Sequence, residues 1–294
     1  MTVSDSNGTV TLELPNGASA EIKHFGATVI SWKSAETSAS KDEIKERFFL
    51  SSKSALDGSK PIRGGIPIVF PFFGGATREE HKPFSSHGFA RSEKWEYAGV
   101  VSESEENVSV RFVLEPSAGV AAKYDQPFLL EYIVTLSQYQ LATELHVTNP
   151  ATASSPLVHQ ALLHNYIAAS PTSTITISPL TNLTYVDKAN GGVEQVESRR
   201  LVDVKSHTDS VYKSAPGTYE VRWEGEGGGG LDIKTSGFPD VVVWNPHAEV
   251  GSKIGDLEEG GWEKYVCVEP GFVSSWNTLQ PGEKWVGSQT LIPL

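Results

Sequence analysis

Short runs that alternate apolar and polar residues, or carry β-branched clusters, recur along almost the whole chain: "TVTLEL", "ATVISW", "RFFL", "VSVRFVLE", "LLEYIVTLS", "LATELHVTN", "STITIS", "YEVRW", "LDIKT", "DVVVW", "YVCVE" and "QTLIPL". A period of two places every second side chain on one face of a strand, so each run reads as a half-buried or buried strand. Turn chemistry separates them, at Pro15-Asn16-Gly17, Asn190-Gly191-Gly192 and the glycines from Gly225 to Gly230. Sustained helical periodicity is missing, and brief connectors around Ser51 to Gly58 and Asp42 to Arg47 are the best helical candidates. More than a dozen strands imply an all-β fold of two large packed sheets. With no linker and no fixed-period repeat, residues 1–294 are expected to form one domain. One run ends unusually. "YVCV" leads straight into Glu269, Pro270 and Gly271, which predicts a sheet that stops at Glu269, with the carboxylate held on a stiff backbone.

Composition narrows the classes. A chain that is 38% hydrophobic and 20% charged can bury a sizeable core, and its apolar runs fall short of the roughly 18 residues a membrane helix needs. The N-terminus "MTVSDSNGTV" has neither the basic nor the apolar region of a secretory leader, so a cytoplasmic protein is expected, and the N-x-[ST] sequons at Asn7, Asn107 and Asn182 carry no weight. A formal charge of −12 argues against nucleic acid as partner, since phosphate neutralisation by Lys and Arg supplies most of that affinity. It leaves room for a small anion held by a few converging arginines. The single cysteine, Cys267, reads as a packed core thiol. The "GEGGGG" tract lacks the Lys-Ser/Thr of a phosphate loop and reads as a hairpin turn.

Five stretches could carry chemistry. "PIRGGIPIVFPFFG" (Pro61–Gly74) sets Arg63 before paired glycines that would let a backbone approach a ligand, with Pro67 and Pro71 stiffening the loop. A surface salt bridge explains it as well. "SSHGFARSEKW" (Ser85–Trp95) brings Ser86, His87 and Arg91 into a donor-rich segment that reads equally as a surface loop. "PLVHQALLHNYIAAS" (Pro156–Ser170) holds His159 and His164 on opposite faces of a strand, which makes them poor partners for one metal. No further His, Cys, Asp or Glu cluster completes a ligand set in the sequence, so no structural zinc is expected. His164, followed by polar Asn165 and Tyr166, is the better functional candidate; a core histidine is the bland reading. "HTDSVYK" (His207–Lys213) offers Asp209 in what reads as a short acidic loop, and "VVVWNPHAE" offers Trp244 and Asn245 at the end of a buried strand.

Taken in order, "RGGIP", "HGFAR", "LLHNY", "TDSVYK", "VWNP" and "CVEPG" resemble the aldose 1-epimerase-like superfamily, and within it the fungal-type glucose-6-phosphate 1-epimerases, from about Leu12 to the C-terminus. That resemblance implies a galactose-mutarotase-like β-supersandwich, a hexose 6-phosphate as small-molecule partner, no cofactor and no metal. It sets Glu269 on the family's general base, His164 on its general acid, Asp209 on the residue that holds sugar hydroxyls, and Arg63 and Arg91 on the arginines that contact substrate and its phosphate. Ser86 departs from the pattern, standing where a glutamine is expected just before His87.

Interconverting anomers needs one base and one acid, which remove the C1 hydroxyl proton and protonate the ring oxygen. Glu269 is expected to have a raised pKa, and His164 one high enough to keep it protonated. We expect a monomer. Rival readings are an epimerase for neutral sugars such as galactose, a non-catalytic carbohydrate-binding module, and a glycoside hydrolase built on Asp209 and Glu269.

Overall fold

The computed structural model describes residues 1–36, 44–224 and 228–294. The described residues form three antiparallel sheets. A five-stranded N-terminal sheet runs in chain order through Thr2–Ser6, Thr9–Glu13, Ser19–Lys23, Val29–Ser34 and Lys45–Glu46. The first eight-stranded sheet has the spatial order Thr176–Ser178, Thr218–Trp223, Gly229–Ser236, Lys284–Pro293, Gln140–Thr148, Leu129–Ser137, Asn107–Leu114 and Glu96–Glu103. The second has the order Val193–Val196, Thr184–Asp187, Thr208–Tyr212, Asp240–Asn245, Tyr265–Leu279, Leu157–Leu163 and Ile68–Val69, with Tyr166–Ala168 also paired to Tyr265–Leu279.

The alternation in the sequence is what packs them. Along "LLEYIVTLS" the side chains of Leu130, Tyr132, Val134 and Leu136 are fully buried, and the residues between them are half-buried. Strand Gln140–Thr148 pairs with it from Gln140↔Ser137 and turns Leu141, Leu145 and Val147 the same way. Facing them across the core, Val241, Val243, Val266 and Val268 of the second sheet join one continuous cluster, which also takes in Val10, Leu12 and Trp32 of the N-terminal sheet. Each such side chain contributes roughly 1.5–3 kcal/mol by leaving water, so this shared layer packs residues of the three sheets against one another.

In "VVVW" every residue is apolar because both faces of the strand are covered. Val241 and Val243 enter the core between sheets, whereas Val242 and Trp244 point to the far face, where Val69, Leu162, Val211 and Val273 form a second cluster. The functional residues stand on that far face.

Four expectations need correction. The sheet does not stop at Glu269. Strand Tyr265–Leu279 runs on through it for 15 residues, and Pro270 lies mid-sheet opposite Val241. A central proline is tolerated because the ladder on its other side is interrupted between Leu163 and Tyr166, where its missing N–H would have been needed. The acidic "loop" around Asp209 is strand Thr208–Tyr212. Ser51–Gly58 forms turns and bends rather than a helix, and Lys45–Glu46 is a strand; Asp42 and Glu43 lie outside the described residues, as do Gly225 to Gly227. Among the described residues the α-helices are the short Ala118–Ala121 and His247–Gly251. Finally, Gly64 and Gly65 approach backbone, not ligand. At Gly65, where φ is +64°, a Cβ would lie 1.9 Å from the Val29 carbonyl oxygen, and at Gly64 it would lie 2.4 Å from that of Phe49. These contacts stitch the Arg63 loop to the sheet: Ser51 N–H donates to the Arg63 carbonyl and Tyr166 N–H to that of Gly65, both at 2.9 Å. No helix among the described residues is long and apolar enough to cross a membrane.

Candidate active site

Register explains why His164 and Glu269 meet. Leu162 lies opposite Gly271 and Tyr166 opposite Cys267. The same register carried across the interruption sets His164 opposite Glu269, on neighbouring strands and the same face. With no ladder partner there, the His164 backbone N–H donates instead to the Pro67 carbonyl at 3.0 Å. Its Nε2 stands 3.4 Å from Glu269 Oε1. The imidazole stacks on Tyr166, with ring centres 4.7 Å apart and planes 11° from parallel, and Trp244 meets it edge-on at 5.8 Å. The ring can neither tilt nor turn freely.

A cavity of about 290 Å³ opens over this pair, at the small end of the range that takes a single small ligand. Arg63, Phe73, Ser86, His87, Arg91, Lys188, Asp209, Val242 and Trp244 complete its lining, so eight of the nine anticipated residues converge on one place. Asn245 does not. As the next residue after Trp244 on a strand it points to the opposite face, where its amide donates to the carbonyls of Trp262 at 3.0 Å and Tyr265 at 2.8 Å and accepts from His247 N–H. It fastens the following turn.

Each remaining residue is held by a local cause. Arg63 donates from Nε to Asp256 Oδ1 at 3.1 Å and from Nη1 to the Tyr166 hydroxyl at 2.9 Å, which fixes its guanidinium at the cavity edge. Arg91 donates from Nη2 to the Ser86 carbonyl at 2.8 Å, and its Nε is buried without a partner among the described residues. The segment that carries it turns sharply at Gly88, where φ is +72° and a Cβ would lie 2.2 Å from the Phe70 carbonyl oxygen. Ser86 donates its hydroxyl to the Gly74 carbonyl at 3.0 Å. His87 Nδ1 accepts from Gly74 N–H at 3.3 Å, which leaves the proton on Nε2 as a donor. Lys188 Nζ lies 3.8 Å from Asp209 Oδ2 and 4.5 Å above the Phe73 ring.

Burial sets the proton balance. It drives the Glu269 carboxyl well above the usual carboxylate range, helped by the nearby charge of Asp209 and opposed by Lys188 and Arg91. Glu269 is only 1% exposed, and its Oε2 has no partner among the described residues. Burial likewise drives His164 well below the ordinary imidazole value, with His87, Arg91 and Arg63 adding to the effect. The Glu269 expectation therefore holds in direction, and that for His164 is reversed: burial favours the neutral form of both groups, the carboxyl over the carboxylate and the imidazole over the imidazolium. Asp209 is also raised, by burial, and partly offset by Lys188.

The sequence reading also denied any metal-type cluster. Folding brings His164, Cys267 and Glu269 together with donor atoms within 4.8 Å of one another, a set that spacing could not reveal because His164 belongs to a different strand. Lys188 was missed for a similar reason. It belongs to the short 3₁₀ turn Lys188–Asn190, next to a Gly-Gly turn signal, and nothing local marks it as facing Asp209.

The family model described as aldose 1-epimerase matches residues 8–291. The chain belongs to the aldose 1-epimerase family. Within it, a Cenchrus ciliaris protein named "Putative glucose-6-phosphate 1-epimerase" is 29% identical over 91% of this chain and 79% of its own length. An Escherichia coli K12 protein of the same name is 26% identical over 85% and 78%. Among solved structures, the YeaD mutarotase of Salmonella typhimurium, itself labelled putative, superposes with a TM-score of 0.85 at 22% identity, covering 99% of this chain and 92% of that one. The Slr1438 protein of Synechocystis sp. PCC 6803 gives 0.78 at 18% identity, covering 100% and 98%. These likenesses confirm the mutarotase-like all-β fold. For this aldose 1-epimerase family member, the chemistry at hand is epimerisation of sugar anomers.

Proposed function

We propose that the chain interconverts the α and β anomers of hexose 6-phosphates, chiefly glucose 6-phosphate. The observation that carries this reading is a buried carboxyl–imidazole pair, His164 Nε2 3.4 Å from Glu269 Oε1, on the floor of a cavity whose wall holds two arginines. The names of the relatives agree with it. Ring opening takes the proton from the O1 hydroxyl and delivers one to the ring oxygen; the C1–O5 bond breaks as O1 becomes the carbonyl oxygen. Rotation about C1–C2 and the reverse transfers close the other anomer. Each group thus acts in both directions, and no net proton is gained. With Glu269 as base and His164 as acid, the reactive form has the proton on the imidazole, reached by moving it from Glu269 without exchange with solvent. Asp209 and Lys188 hold sugar hydroxyls, and His87 Nε2–H adds a donor.

Arg91 is the group best suited to the phosphate, because Arg63 already spends two of its donor nitrogens on Asp256 and Tyr166. A charge-assisted hydrogen bond contributes roughly 1.5–3 kcal/mol. Arg91→Ala is therefore expected to raise KM for glucose 6-phosphate about 10–100-fold and to leave that for unphosphorylated glucose nearly unchanged. Equal losses on both sugars would remove Arg91 from the phosphate and favour a neutral aldose as substrate.

The direct test is NMR magnetisation transfer between the α and β C1 protons of glucose 6-phosphate, with glucose and galactose as controls. Acceleration confined to the phosphorylated sugar supports the proposal. Acceleration of neutral sugars replaces the substrate class, and none at all leaves a binding protein.

Activity requires one proton on the pair. With Glu269 raised, that proton survives well above the ordinary carboxylate pKa; with His164 lowered, a second is added only well below 6.5. We expect kcat/KM to stay level through pH 6.5, once the substrate's own phosphate ionisation near about 6 is allowed for. It should fall on the acid side only when both groups are protonated, and on the alkaline side when the pair is stripped. A limb centred on 6.5 that persists with a neutral sugar would show His164 titrating as a free imidazole.

A further inference from the structure

We propose that the floor of the cavity is also a binding site for a soft divalent cation of the zinc type, held by Nε2 of His164, Sγ of Cys267 and a carboxylate oxygen of Glu269, and that the bound ion blocks the acid–base pair. It acts as an inhibitor rather than as a resident cofactor.

Alternation along strand Tyr265–Leu279 turns Cys267 and Glu269 to the same face, and the cross-strand register sets His164 beside Glu269 with Tyr166 opposite Cys267. The three donor atoms lie within 4.8 Å of one another. Zinc bonds of roughly 2.0–2.3 Å require closer spacing, so the widest pair must draw together by about an ångström. Glu269 Oε2 is buried and unpartnered among the described residues, so that carboxyl is not fully committed elsewhere. A neutral imidazole, a thiolate and a carboxylate form a mixed N, S and O set. Three protein ligands with the fourth position open to the cavity are what an exchangeable zinc ion takes.

Charge bears on affinity and selectivity. Burial pushes the Cys267 thiol and the Glu269 carboxyl well above their ordinary values, so a divalent ion binds by displacing one proton from each to solvent, and the resulting thiolate and carboxylate together cancel its charge. The neighbouring cations are partly offset, Arg63 by Asp256 and Lys188 by Asp209, leaving Arg91 as the main opposing charge. Thiolate and imidazole select zinc and cobalt over magnesium and calcium, which demand oxygen ligands. An ion in this position occupies the nitrogen and the oxygen that must exchange protons with O1 and O5, so it excludes turnover whatever the sugar.

The test uses the full chain, stripped with a chelator and titrated with Co²⁺ in a phosphate-free buffer. Because Cys267 is the only cysteine, a thiolate-to-cobalt charge-transfer band can arise nowhere else. We expect that band to saturate at one ion per chain, to vanish when Zn²⁺ displaces the cobalt, and to be lost on unfolding. Mg²⁺ and Ca²⁺ should leave it unchanged. Cys267→Ser should weaken Zn²⁺ binding, followed by calorimetry, at least roughly 10–100-fold and relieve zinc inhibition of anomer exchange. Absence of the band in the native wild type would overturn the proposal even if the variant failed to fold. Undiminished Zn²⁺ affinity in a folded Cys267→Ser would do the same. The optical and calorimetric readouts need no turnover, so they stand whether or not the epimerase reading does.

Discussion

Glu269→Gln is expected to slow anomer exchange of glucose 6-phosphate by roughly 10²–10⁴-fold, the usual worth of a positioned acid–base group, in a chain that remains folded. The amide keeps the shape of the carboxyl and has the same hydrogen-bonding reach toward His164 Nε2, yet it can neither take nor store a proton. Stability should survive because burial raises the Glu269 pKa and so favours the neutral carboxyl, which Gln resembles in shape and charge. A thermal midpoint at neutral pH equal to or above that of the wild type is the accompanying expectation. Full activity in a folded variant would end the assignment of Glu269. A collapsed midpoint would instead mean that the carboxyl is structurally required, which its unpartnered Oε2 argues against.

Strand content was legible because period-two alternation is local. The inward residues of "LLEYIVTLS" are the ones the fold buries, and "VVVW", apolar throughout, is covered on both faces. The same periodicity could have separated Trp244 from Asn245, since adjacent strand residues cannot share a face, and it places Asn245 in the core-side row with Val241 and Val243. Glu269 was found for a partly mistaken reason. Pro270 and Gly271 read as the end of a strand, whereas the strand continues and the proline fits a gap in its neighbour's ladder. What fixes the carboxylate is its position deep in a sheet.

Contacts between distant segments left no local mark. Arg63 was recognised as a rigidly presented cation, but its partner Asp256 lies 193 residues away. The contact of Lys188 with Asp209 and the approach of Cys267 to His164 likewise depend on strand order. Protonation was the least accessible quantity. The burial of His164 under Tyr166 and Trp244, and its proximity to His87 and Arg91, reverse the expectation that a catalytic acid rests protonated. A sequence can name the two groups, but the site that stores their proton depends on how much water the fold removes from each.

That shared proton leads to a prediction about His164. His164→Gln alone should also cost about 10²–10⁴-fold, but the double variant with Glu269→Gln should fall at most about tenfold below the slower single variant, far short of the product of the two. Once either partner is gone, ring opening loses its one-proton relay, and the other group has nothing to exchange with. The rates would be read by the same NMR exchange experiment, at enzyme concentrations that lift residual catalysis above spontaneous mutarotation in water. Multiplicative losses would instead mean that Glu269 and His164 act on separate steps with water as the second proton carrier. In that case the 3.4 Å approach of Nε2 to Oε1 would reflect shared burial in one pocket rather than a working pair.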